Sequence, residues 1–68
     1  MLETLRYSLR NKRIIEIMYH GSQGITQRRV KVLKMDSEKV LAYCYTHKGI
    51  RSFKLDSILG ASIIHEED

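Results

Sequence analysis

Residues 26–35 read TQRRVKVLKM, and a change of parity among their apolar side chains decides the fold. Val30 and Val32 fall on even positions, whereas Leu33 and Met35 do not share that parity. Successive side chains of a strand point to opposite faces, so a one-residue slip turns the apolar set over unless a bulge or bend absorbs it. The sequence therefore predicts one long strand over about 26–35, bent near Leu33. Long strands that bend to serve both halves of a closed sheet are what a small barrel needs.

Downstream, Asp36, Ser37 and Glu38 form a tight connection to KVLAYCY at 39–45, with Val40, Ala42 and Cys44 on one face and Leu41, Tyr43 and Tyr45 on the other. Apolar on both sides, this segment reads as a central strand, one side in the barrel and the other under a helix or at an interface. Thr46 to Gly49 turns the chain into a fourth strand at about 50–55. Asp56 to Leu59 makes a one-turn helix capped by Asp56, and a fifth strand occupies about 60–65. Upstream, RIIEIMY at 13–19 alternates Ile15, Ile17 and Tyr19 against Ile14, Glu16 and Met18, so it is a first strand, and His20 to Gly24 is a turn. Leu2, Leu5 and Leu9 recur at helical spacing, with Glu3 in the first turn and cations in the last, predicting a helix over about 2–11.

Five short strands, with a one-turn helix before the last, predict a mainly β domain. Its class is the SH3-like or Sm-like five-stranded small barrel, here with an N-terminal helix. The rival is a half-open sheet that closes only in a dimer, with Leu2, Leu5, Leu9 and the outer face of the third strand as interface. Residues 1–65 are read as a single domain and 66–68 as an acidic tail. At 68 residues the core must be small. The single Cys44 excludes an internal disulfide and fits the reducing cytosol. There is no apolar run of signal-peptide or membrane-spanning length, so a cytoplasmic protein without membrane contact is expected.

Three of the eight acids are Glu66, Glu67 and Asp68, which leaves residues 1–65 with twelve cationic side chains against five acidic ones. A surface so biased attracts polyanions, with affinity that falls as salt rises. Arg28, Arg29, Lys31 and Lys34 cluster on the second strand, and Arg51 and Lys54 on the fourth. Guanidinium forks match phosphate oxygens, and tyrosines such as Tyr19, Tyr43 and Tyr45 stack on unpaired bases. Arg51 shares parity with Phe53 and Leu55, which puts it at the barrel mouth; its structural alternative is an ion pair with Asp56 or Glu16.

The segment AYCYTHKGIRSFKLDSILGASI, Ala42 to Ile63, resembles the second half of the WYL domain, a family of bacterial SH3-like or Sm-like β modules found mostly in transcription regulators. LRYSLRNKRIIEIMYHG is similar to the family's opening, and RRVKVLKM to its second strand. Arg51, Phe53, Leu55, Asp56 and Ile58 reproduce an R-x-F-x-L-D-x-I pattern. The resemblance departs at Glu38, Lys39 and Val40, where the family has its Trp-Tyr-Leu run, at Tyr45, where it often has His, and at Val32, where it has Pro. It implies a stand-alone effector- or partner-binding barrel in which Arg29, Arg51 and Tyr19 survive from the family's polar site.

The functional expectation is a regulatory module that binds single-stranded nucleic acid or a nucleotide-like anion through Tyr19, Arg28, Arg29, Tyr43, Tyr45 and Arg51. The alternative is a protein-interaction or homodimerisation module. A metal-independent ribonuclease built from His47, Tyr45, Arg51 and Lys48 is the distant third reading, because no nucleophile elbow, paired-carboxylate spacing or phosphate loop is present. Cys44 and His47 give only a C-x-x-H, with Cys44 on the apolar face of its strand, so no metal and no cofactor is expected.

Overall fold

The computed structural model describes residues 1–64. Helix α1 (Leu2–Asn11) is followed by β1 (Ile15–Gly21), β2 (Gly24–Met35), β3 (Lys39–Cys44), β4 (Gly49–Lys54), a 3₁₀ turn at Leu55–Ser57, and β5 (Ile58–Ile63). All five strands form one antiparallel sheet in the order β4-β3-β2-β1-β5. This is the mainly β domain with an N-terminal helix and a one-turn helix before the last strand that the sequence predicts. Closure is incomplete, however: β4 and β5 are the two ends of the strand order and do not pair with each other.

The bend near Leu33 is present as a bulge. Val32 pairs with Ala42 and Lys34 with Leu41, so Leu33 is the extra residue that has no partner in β3. Val30 and Val32 before it, and Met35 after it, therefore all serve the same side of the sheet. Across the strands that inner face collects Ile15 and Ile17 of β1, Val30 and Val32 of β2, Val40, Ala42 and Cys44 of β3, Phe53 of β4 and Ile58 of β5, with Leu5 of α1 packed on them. Cys44 is wholly buried there as a small core side chain.

Several boundaries move by one or two residues, each for a local reason. Lys12 closes α1 in the left-handed conformation, and Arg13 and Ile14 are spent turning the corner, so β1 begins at Ile15 rather than 13. β1 then runs on to Gly21, which pairs with Gly24, leaving a two-residue hairpin at Ser22 and Gln23; Gly24 adopts φ 101°, open to glycine at little cost. The 3₁₀ turn and β5 start earlier than predicted. Among the described residues Asp56 makes no capping hydrogen bond; Leu55 N–H donates to the Glu38 carbonyl at 2.9 Å and ties the turn to the β2–β3 connection. The side-chain cap belongs to the other tight connection, where Asp36 Oδ1 accepts from the Glu38 and Lys39 N–H groups at 2.8 and 2.9 Å. Those two bonds, foremost, hold the Asp36 carboxyl below its ordinary value. His65 and the acidic residues 66–68 lie outside the described residues.

Helix α1 packs on β2, β5 and β1, not behind β3. The outer face of β3 is therefore free of the helix that the sequence offered as its cover. Among the described residues no helix is long and apolar enough to cross a membrane.

Candidate anion-binding site

Strand register divides the six residues predicted to bind ligand between two surfaces. In an antiparallel ladder directly opposed residues share a face. Ile17 is opposed by Arg28, Tyr19 by Thr26, and Ala42 by both Val32 and Arg51, so Tyr19, Arg28 and Arg51 all belong to the inner face. Arg29 is opposed by Glu16, and Lys31 by Tyr43, so Arg29 and Tyr43 belong to the outer one. Tyr45 continues the parity of Tyr43 just past the end of β3, where its N–H donates to the Arg29 carbonyl at 2.8 Å.

The expected pairing of Arg29 with Arg51 is thus corrected: the two point away from opposite sides of one sheet. The same register removes Glu16 as an ion-pair partner for Arg51. It also separates Tyr45 from Arg51, two of the four residues named in the distant ribonuclease reading. The basic cluster of β2 is likewise split, with Arg28 turned inward and Arg29, Lys31 and Lys34 outward.

On the inner face, past the last core residues, Arg28 takes the place that the alternation reserves for an apolar side chain. Its guanidinium carbon sits 5.9 Å from the centre of the Tyr19 ring and 6.0 Å from that of Phe53. These rings meet edge to face, with centroids 4.9 Å apart and planes at 78°. Both distances suit a cation resting against aromatic faces. Arg28 Nε donates to Thr26 Oγ1 at 3.1 Å, while Nη1 is buried with no hydrogen-bond partner among the described residues. A guanidinium resting against two rings, with one hydroxyl accepting from Nε, keeps an Nη1 that no described residue satisfies, which costs free energy.

His47, on the exposed turn between β3 and β4, completes the group. Its imidazole pKa is lowered from the ordinary 6.5, first by desolvation and then by the charges of Arg28 and Arg51. Both guanidinia therefore lie within electrostatic reach of the same ring. From the sequence His47 is only a metal-ligand or catalytic candidate, two residues past the outward Tyr45. Phe53 was read as core, which it is at 2% exposure, and it also serves as one wall behind Arg28.

Comparison with known proteins agrees with this architecture. A family model described as WYL domain matches residues 1–63. Among solved structures, proteasome accessory factor B/C (PafBC) of Arthrobacter aurescens is similar with a TM-score of 0.79 and 26% identity, over 91% of this chain and 11% of that one. The chain thus spans about a ninth of that structure's length. No curated protein sequence matches the chain.

Proposed function

Because the chain belongs to the WYL domain family, we propose that it is a ligand-binding module whose inner-face arginines take a phosphate-bearing anion, either a nucleotide or the backbone of a single-stranded nucleic acid. Arg28 and Arg51 supply charge-assisted donors to phosphate oxygens, Tyr19 and Phe53 fix the Arg28 plane, and His47 adds a third donor when protonated. The observation that carries the reading is Arg28 on the inner face, with an Nη1 that no described residue accepts from, on the side of the sheet that also holds Arg51. Like charges on one face repel, so a bound anion would offset them.

Binding rather than chemistry is the role proposed, since Tyr45, one of the four side chains named for acid–base cleavage, stands on the face away from Arg51. Fluorescence anisotropy with labelled twelve-nucleotide RNA and DNA at two salt concentrations tests it. Binding that weakens with salt, and by about tenfold in Arg51→Ala, is expected; no binding at low salt removes the proposal.

A second reading has its own observation. The free edges β4 and β5 carry exposed Ile50 and Leu59, at 62% and 56% of their surface, and unpaired edges are templates for a further strand. Light scattering decides whether a homo-oligomer forms; a monomer at high concentration ends that reading.

A further inference from the structure

On the outer face Tyr43 and Tyr45 meet edge to face, with centroids 4.7 Å apart and planes at 70°. With Lys31 and Leu33 they line a shallow cavity of about 370 Å³. The bulge is what brings Leu33 here: released from pairing, it stays 43% exposed beside Tyr45, itself 37% exposed. Arg29 stands next to Tyr45, tied by the hydrogen bond between their backbones. Helix α1 packs elsewhere, so this face has no cover from it.

Charge says what the face suits. Neither residues 24–35 nor residues 39–54, which hold β2, β3 and β4, contain a single Asp or Glu. The nearest carboxylate in register is Glu16, across from Arg29 on β1. An aromatic and aliphatic hollow lined by Lys31, with Arg29 beside Tyr45, matches a planar apolar group joined to anions. That is the chemistry of an unpaired base with its flanking phosphates, for which aromatic side chains in a cationic groove are the general solution.

We propose that this outer face is a second binding site, specific for single-stranded nucleic acid, in which one base stacks on Tyr45 and Tyr43 against Leu33 while Lys31 and Arg29 hold the adjoining phosphates. The site goes beyond the inner-face arginines and stands without them. A free phosphate has no use for two rings and a leucine, so a strand, and not an isolated anion, is the ligand.

The test uses labelled U12 RNA and dT12 DNA with the full chain. Tyr45→Ala weakens binding about tenfold, while Tyr45→Phe, which keeps the ring, stays within about twofold of the unchanged protein. Lys31→Glu lowers affinity and makes the salt dependence shallower. Circular dichroism establishes that each variant is folded. Unchanged affinity in folded Tyr45→Ala or in folded Lys31→Glu overturns the outer site and leaves the patch to a protein partner. Arg51→Ala is measured in parallel and separates the two surfaces. Loss in Arg51→Ala alone overturns the outer site and keeps the inner-face site, whereas loss in Tyr45→Ala alone supports the outer site and counts against the inner-face one.

Discussion

The Ser8 hydroxyl joins α1 to β2 by accepting a hydrogen bond from the Val32 N–H at 3.0 Å, across 24 positions of sequence. The same hydroxyl donates to the Arg13 carbonyl at 2.6 Å. Val32 lies two residues beyond Val30, where pairing with β1 ends at Ile15, so its amide has no strand partner on that side. Ser8 supplies the acceptor at the start of the bulge and thereby sets how the helix seats on the open end of the core.

Replacing Ser8 by Ala leaves both the Val32 N–H and the Arg13 carbonyl without their partner in a buried setting, since Ser8 has 0% exposure. Urea denaturation of Ser8→Ala should show a loss of about 1–3 kcal/mol, the cost of stranding buried polar groups. A change inside about 0.5 kcal/mol would place the helix docking elsewhere.

The bulge and the core respond differently to truncation. Leu33 is the unpaired, half-exposed residue, so Leu33→Ser should alter stability by no more than about 0.5 kcal/mol. Phe53, fully packed behind Arg28, should cost about 3–5 kcal/mol in Phe53→Ala. Equal losses in the two variants would contradict the assignment of Leu33 to the surface.

Affinity for an anion should depend on pH through His47. Its lowered pKa leaves the ring neutral at neutral pH in the free protein. An anion between Arg28 and Arg51 favours the imidazolium, so binding takes up a proton, and affinity should rise as pH falls from about 7.5 to about 5.5. Stability moves the other way: the unfolded chain binds the proton more readily than the folded one, so the folded state weakens as pH falls below the ordinary histidine value. Titration of dT12 binding, whose phosphodiesters do not titrate in this range, should give a flat profile in His47→Ala, and an unchanged pH dependence would remove His47 from the site.

Much of the architecture was legible because periodicity reports faces. The parity change between Val32 and Met35 located the bulge, and the alternation of Ile15, Ile17 and Tyr19 located the inner side of β1. Whether the sheet closes was not legible, because closure depends on how far β4 and β5 diverge after the 3₁₀ turn, which no pattern within either strand encodes. Ser8 was invisible for a related reason: a serine inside the apolar stripe of a helix carries no mark of the distant amide it will meet. The site was half legible. Residue types were found, but Arg28 and Arg29 are neighbours whose opposite directions follow from register, and the family resemblance favoured the wrong one for pairing with Arg51.

That distinction gives the account its most direct test. Arginine side-chain Nε–H resonances followed by NMR during titration with uridine monophosphate report each guanidinium separately. The account predicts that Arg28 and Arg51 shift together with the His47 ring, and that Arg28→Ala abolishes the response at Arg51. Shifts confined to Arg29, or no shift at Arg28 and Arg51 at saturating nucleotide, would contradict it.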